Sequence, residues 1–289
     1  MNPDVSVVIP VFNAAETFGE QLKALALQET SRLWEVVISD NGSTDETVKI
    51  AESWSSRLPG LRIVDSSDRR GVSHAKNVGA KAARGRLILT CDADDVVAPG
   101  WIEAMAGAAE TCDVIGGARE AETLNSPVVQ HWRSVDARSR LPIGVGFLPY
   151  AVGSNFGCRR EVFVQLGGWD ESVFAYGGED VDFSWRAQMA GFKLCYEPNA
   201  RIAYRLRDDL RGMWRQQLAY GRAVPKLYKR YRDVGAKRRK LSTVIGSWTR
   251  LVIGVPTLMS PARRGRWVTN LAGNVGRLLG SMEQRVFYP

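Results

Sequence analysis

The chain has 289 residues with 45% apolar and 24% charged content, which fits one principal globular fold and excludes a disordered or collagen-like chain. Its net charge of +8 is unevenly placed: residues 1–200 hold 19 Lys/Arg against 27 Asp/Glu, whereas residues 201–289 hold 20 against 4. The last third therefore favours an anionic partner, for which a membrane surface, a phosphate-bearing substrate and nucleic acid are the candidates.

Val5 to Val11 is a continuous apolar run that predicts a first strand, and Phe18, Leu22, Leu25 and Ala26 recur at helical spacing within 16–27. Trp34 to Ser39 predicts a second strand. A turn over Asp40 to Asp45 follows, with Thr44 or Asp45 as the cap of a helix through Trp54. A third strand is expected at Leu61 to Val64, a helix over Ser73 to Ala83 and a fourth strand at Arg86 to Cys91, which runs into Asp92-Ala93-Asp94-Asp95. This alternation predicts a parallel α/β sheet, with ligands gathered at the carboxyl ends of the strands. Residues 118–152 mix charged residues, Gly and Pro, and read as a long excursion over the site. Order returns over 153–171. Val181, Trp185, Ala187 and Met189 then suit a buried helix, and everything from Arg211 onward is expected to be helical and basic. Cys91, Cys112, Cys158 and Cys195 are widely spaced without a CxxC pair and read as reduced core thiols. The opening MNPDVSVVIP lacks the basic and apolar segments of a signal peptide, so a cytoplasmic location is expected.

Three acidic clusters fall at the ends of these elements. Asp40-Asn41-Gly42-Ser43 offers a carboxylate to a nucleobase imide, although such a tetrapeptide is also an ordinary Asx turn. Asp92-Ala93-Asp94-Asp95 has alternate carboxylates that suit a hard cation already holding a diphosphate; taken alone, it equally fits a solvated acidic turn. In Gly177-Gly178-Glu179-Asp180 the glycines allow close backbone approach, and the acids open a helix whose N-terminus favours negative charge. Capping accounts for one of those acids but hardly for the pair.

Taken in order, these segments resemble the family-two glycosyltransferases, and the likeness spans roughly residues 4–225. VSVVIPVFN is similar to the family's opening strand, SDNGSTDET to its second-strand loop and RGVSHAKNVGAKAARG to its donor-binding helix. TCDADD stands at its DxD metal motif, GGWDES at a glycine-rich turn near the acceptor side and GGED at its catalytic acidic pair. The resemblance implies a GT-A fold: a Rossmann-like mixed sheet flanked by helices, with a catalytic domain over 1–210 and a basic helical C-terminal region over 211–289. The nucleotide-sugar half of the catalytic domain would cover about 1–117 and the acceptor half about 118–210. It assigns Pro10, Phe12 and Asn13 to the base pocket, Asp40 to a uracil-type imide, Lys76 to the diphosphate, Asp92 to the ribose and Asp94 to the metal. Asp180 becomes the general base, Glu179 the group that orients the acceptor, and Gly178, Trp169 and Asn155 fall on the acceptor side.

Elementary chemistry agrees with these roles. A diphosphate leaving group needs its charge neutralised, which Mn²⁺ or Mg²⁺ on oxygen ligands does, and a sugar hydroxyl needs a carboxylate to take its proton. One base and direct attack imply inversion, with retention as the mechanistic alternative. The stretch Arg201 to Arg205 has no histidine where many relatives supply a metal ligand. His74, beside the donor helix, reads as a surface or cap residue rather than a phosphate contact. Without a QxxRW signature or a long apolar segment, a single transfer is expected rather than polymerisation.

The donor is then a nucleotide sugar with UDP or dTDP favoured, and the acceptor a glycan, a lipid-linked sugar or a small molecule. A sugar nucleotidyltransferase is the enzymatic rival, but the first loop lacks its phosphate-binding glycines. A basic binding module for membrane or nucleic acid is the other rival, and it leaves the acidic clusters unexplained; nucleic acid is the less favoured partner. Residues 244–259 are apolar but interrupted by Arg250 and Pro256. They fall short of a spanning helix and suit either core or homodimer packing, or a helix lying on an anionic membrane beside KRRK and ARRGR.

Overall fold

The structure, a computed structural model, describes residues 2–135, 140–172 and 177–288. The elements in chain order are β1 (Val5–Val11), α1 (Phe18–Ala26), β2 (Trp34–Asp40), α2 (Thr47–Ser53), β3 (Arg62–Asp65), α3 (Val72–Ala82), β4 (Leu87–Cys91), β5 (Val96–Val97), α4 (Trp101–Ala108) and β6 (Val114–Glu120). The second half continues with α5 (Pro127–Gln130), β7 (Asn155–Arg159), α6 (Arg160–Leu166), α7 (Glu179–Met189), β8 (Leu194–Ala203), α8 (Leu210–Tyr231), α9 (Leu241–Ile253) and α10 (Pro261–Gln284). Part of the expected excursion, 136–139, and residues 175–176 before the GGED motif lie outside the described residues.

Among the described residues one eight-stranded sheet has the order β3-β2-β1-β4-β7-β6-β8-β5. β1, β2, β3 and β4 are mutually parallel, as the alternation predicts. The sheet is nevertheless mixed, because β7 pairs antiparallel with both β4 and β6, and β5 pairs antiparallel with β8. Two successive reversals restore the direction of β4 in β6 and β8, so β1, β4, β6 and β8 end on the same side. The sheet's central strands are buried on both faces, which is why β1 reads as an unbroken apolar run rather than an alternating one. One face packs under α1 and α4 through Phe18, Leu22, Trp101 and Met105, and the other packs Phe156, Phe163, Trp169 and Phe183.

Local signals misplaced some boundaries. The second helix starts at Thr47 with Glu46 as its cap position, while Asp45 accepts from the Thr47 N–H at 3.0 Å. Strand β8 carries its alternation poorly in 194–203, and its pairing with β6 makes it a strand. The cysteine reading is corrected. Cys112 and Cys195 form a disulfide while Cys91 and Cys158 are free and buried. These two cysteines are 83 residues apart, and only the parallel register of β6 and β8 brings them together.

The C-terminal helices pack by backbone approach. A Cβ at Gly276 would sit 2.3 Å from the Leu218 carbonyl oxygen, and one at Gly221 would sit 2.5 Å from that of Gly273. Glycine at those positions is what lets α10 lie directly on α8. Helix α8 is in turn tied to α7: the buried Asp182 carboxylate accepts from Arg186 Nε at 2.7 Å and from Tyr231 Oη at 2.6 Å.

Candidate functional site

A cleft of about 810 Å³ opens where β1, β4, β6 and β8 end. Pro10, Phe12 and Asn13 reach it from β1, Asp92 and Asp94 from β4, Arg119 from β6, and Tyr204, Arg205 and Arg207 from the segment after β8. Helix α3 adds Lys76, the start of α7 adds Gly178, Glu179 and Asp180, and α8 closes the far side with Gln216 and Tyr220. Two acidic clusters nearly ninety residues apart in sequence thus line one cavity.

Their link is Lys76. Only 2% exposed, it donates from Nζ to Glu179 Oε1 at 3.1 Å. Burial pulls its pKa down, but Glu179, Asp92 and Asp180 outweigh that and hold the ammonium charged. The space is made by glycine: a Cβ at Gly153 would lie 2.5 Å from the Lys76 nitrogen. Asp180 accepts from the Gly153 N–H on Oδ2 at 2.9 Å and from the Val181 N–H on Oδ1 at 2.8 Å. Burial and the neighbouring Glu179 raise its pKa, against the pull of Lys76 and these two N–H groups. Glu179 Oε2 is buried and has no hydrogen-bond partner. Gly177 and Gly178, at φ 83° and 92°, set the left-handed turn that delivers both acids to the first turn of α7, where the helix dipole favours them.

The DADD segment divides its work. Asp95 is fully buried, turns away from the cleft and accepts the Arg205 N–H at 2.8 Å. Burial, with Asp94 and Asp92 adding to it, pushes its pKa well above the carboxylate range. Asp92 and Asp94 face the cleft, and burial raises Asp92 to about 6 despite Lys76. Asp94 Oδ2 is 3.2 Å from Arg207 Nη2, and its carbonyl accepts from Arg205 Nε at 2.8 Å. Among the described residues no group of three or more His, Cys, Asp or Glu side chains is arranged to hold a metal unaided. The two cleft-facing carboxylates fit an oxygen-preferring divalent ion that draws its remaining ligands from a bound phosphate and water.

At the β1 end, Asn13 adopts φ 48°, accepts the Thr44 N–H at 2.8 Å and donates its own N–H to Ser43 Oγ at 3.0 Å. Phe12 is 51% exposed, with the Arg70 guanidinium carbon 4.4 Å from its ring centre. Three expected site residues are not on the cleft wall. Asp40 spends both oxygens on the Ser43 N–H, at 3.1 and 3.2 Å, in the Asx-turn geometry. Asn155 is fully buried, donating to the Ala118 and Ala200 carbonyls at 2.7 and 2.8 Å and accepting from Trp101 Nε1 at 2.8 Å. It clamps β6, β7 and β8 together. Trp169 lies behind Lys76, 5.9 Å from Nζ to the ring centre, in the aromatic cluster with Phe156 and Phe183. Trp169 is held there by Asn77 of α3, which exchanges hydrogen bonds with the Trp169 backbone. His74 sits between Glu171 and Asp68, at 2.8 Å from each, rather than at the cleft.

The sequence reading missed the basic wall. Arg133 lies 5.8 Å from the Tyr204 ring centre and 5.3 Å from that of Tyr220, and Arg119 lies 5.2 Å from Tyr204. Isolated arginines in an irregular stretch give no local signal. The one available clue is the Tyr-Arg-Leu-Arg run at 204–207.

The model of "Glycosyl transferase family 2" matches residues 6–167, and that of "Glycosyl transferase family group 2" matches residues 87–274. A pre-mycofactocin glycosyltransferase of Mycobacterium tuberculosis is 28% identical over 264 residues, covering 87% of this chain and 53% of its own length. The glycosyltransferase AglE of Haloferax volcanii is 27% identical over 197 residues, covering 67% of this chain and 64% of its own. The chain therefore spans between about half and two thirds of these relatives. Among solved structures, the Pyrobaculum calidifontis mannosyltransferase PcManGT, in complex with GDP-Man and Mn²⁺, superposes with a TM-score of 0.64 at 20% identity, covering 99% of this chain and 76% of its own. S. aureus TarS 1-349, in complex with UDP-GlcNAc, gives 0.57 at 16%, covering 99% and 93%. These likenesses establish the fold as GT-A.

Proposed function

The chain belongs to glycosyl transferase family 2, and from that premise we propose that it moves one sugar from a nucleoside-diphosphate sugar to an acceptor hydroxyl with inversion at the anomeric carbon. The observation that carries the proposal is the buried Lys76, which joins Glu179, Asp180 and Asp92 into one electrostatic unit on the cleft wall.

In this reading Asp180 is the general base. Its two backbone N–H partners fix the carboxylate plane and leave lone pairs on both oxygens for an acceptor hydroxyl. A raised pKa makes it a stronger base once ionised. Glu179, with one oxygen on Lys76 and the other without a partner, orients the acceptor. Phe12 and Asn13 bracket the nucleobase and Lys76 draws the diphosphate. Asp92 would contact the ribose, and Asp94 would hold Mn²⁺ or Mg²⁺, which would neutralise charge on the departing nucleoside diphosphate. Arg205 and Arg207 bring fixed positive charge to the same end of the cleft. A preference for UDP or dTDP rests on Asp40, which reaches the Asn13 pocket only through Ser43. The wall of Arg133, Tyr150 and α8 would receive the acceptor, whether glycan, lipid-linked sugar or small molecule.

Calorimetric titration with UDP, dTDP and GDP, each with Mn²⁺ and with EDTA, tests the donor site. Metal-dependent binding of one diphosphate, weakened in Asp94→Ala, is the expected result. Absence of binding by all three in both conditions would remove the basis of the proposal.

A further inference from the structure

Helix α9 and the turn after it present an apolar stripe outward. Leu241, Ile245 and Val252 follow helical spacing along α9, Val255 and Met259 stand in the 3-10 turn that follows, and the five are between 49% exposed (Val255) and 92% exposed (Met259). The inner side of the same helix buries Val244 and Leu251, seven residues apart. A helix on a protein surface ordinarily turns its polar side to water; here Leu241, Ile245, Val252 and Ile253 share the exposed side with Ser242, Thr243, Thr249 and Arg250. The charge around the stripe has one sign. Between residues 234 and 282 there are nine Lys/Arg and no Asp or Glu, with Arg238, Arg239 and Lys240 before α9 and Arg263, Arg264 and Arg266 at the start of α10.

We propose that α9 and the 255–259 turn lie on an anionic phospholipid bilayer, with the apolar stripe at the acyl boundary and the flanking cations among the headgroups. A second copy of the chain is the competing occupant, and charge argues against it. A self-complementary contact through this stripe would set one copy's cation-only segment against the other's, with no acidic residue in either to answer it. No helix among the described residues is long and apolar enough to cross a membrane, so the contact is with the surface. The docked face is mechanically tied to the cleft. Gly265 of α10 abuts the Trp132 ring, Arg266 Nε donates to the His131 carbonyl at 2.8 Å, and the next residue, Arg133, lines the cleft.

Flotation of the purified full chain with vesicles tests the proposal, comparing phosphatidylcholine alone with one part phosphatidylglycerol to two parts phosphatidylcholine. The chain is expected to float with the anionic vesicles and not with the neutral ones. Val252→Asp/Ile253→Asp should lower the bound fraction roughly tenfold, and Arg263→Glu/Arg264→Glu or raised salt should lower it several-fold. Both pairs are exposed, so circular dichroism should match the wild type, and Val164→Asp, an exposed apolar position on α6, should bind as the wild type does. Equal binding to both vesicle types, no binding to either, or binding unaffected by the Val252/Ile253 change would overturn the proposal. So would a concentration-dependent dimer that the same change dissolves, since the stripe would then belong to a second copy.

Discussion

The two ends of the cleft are built in opposite ways. On the acidic side, carboxylates stand at the end of a strand and at a helix N-terminus, each placed by a short segment of chain: the run after β4 or the double-glycine turn before α7. On the other side, arginines and tyrosines arrive from β6, from the segment after α5, from the end of β8 and from α8, and no short segment holds two elements of that wall together. The acids are also the costly groups. Burial raises Asp92, Asp95 and Asp180, and one buried lysine pulls Asp92 and Asp180 back, whereas Arg119 and Arg133 rest against aromatic faces. Chemistry in this molecule is concentrated where stability is given up, and its basic wall depends instead on packing.

Substitutions sharpen that contrast. The largest effect is expected from Asp180→Asn, which keeps the side chain's size but can accept only one of the Gly153 and Val181 N–H groups and cannot take a proton. Turnover should fall about 10²–10⁴-fold with donor affinity little changed. In the wild type the rate should rise with pH through the elevated Asp180 value, because the base works only when ionised, and the variant should lose that limb. A drop below tenfold would move the base elsewhere. Next comes Lys76→Met, which leaves Glu179, Asp180 and Asp92 buried without their cation and should cost about 3–5 kcal/mol in urea unfolding. The loss should be greater at pH 8 than at pH 5. Without the lysine the raised folded-state pKa values of Asp92 and Asp180 rise further, so the folded form holds extra protons and loses stability as pH increases.

On the packing side, Gly276→Ala would force a Cβ to within 2.3 Å of the Leu218 carbonyl and part α10 from α8. A loss near the upper end of about 1–3 kcal/mol in thermal unfolding is expected, with nucleotide binding retained. If nucleotide binding vanished as well, the two sides of the cleft would not be separable in the way their construction implies.

The same division explains what the sequence disclosed. Strands β1 to β4, the helices between them and the polar clusters at their ends follow from local periodicity and turn chemistry, and so did Asp92, Asp94, Glu179 and Asp180 as a set. Asn155 and Trp169 stand off the cleft wall for a physical reason. They lie beside the right motifs, but a buried amide and a large ring were needed to clamp strands and back the lysine, which is a matter of long-range packing. The Cys112–Cys195 pair depends on β8 lying parallel beside β6, and β6 joins the sheet only through the antiparallel β7, an arrangement that nothing in residues 118–152 announces.

The smallest of the expected effects has the opposite sign. Asp92 has a folded-state pKa of about 6 against an ordinary 3.8, so in the absence of donor and metal its ionised form penalises the fold. A raised acid pKa means that the folded state holds the proton more tightly than the unfolded one; the penalty is absent below the unfolded value, develops between about pH 4 and 6 and is complete above 6. Asp92→Asn removes it. Thermal unfolding of the variant should therefore match the wild type near pH 4 and exceed it by on the order of 1–2 kcal/mol at pH 7.5. The cost should appear as weakened donor binding. A variant that is destabilised at pH 7.5 would show that the Asp92 carboxylate supports Lys76 more than it strains the site, and the acids would then count as part of the structural frame.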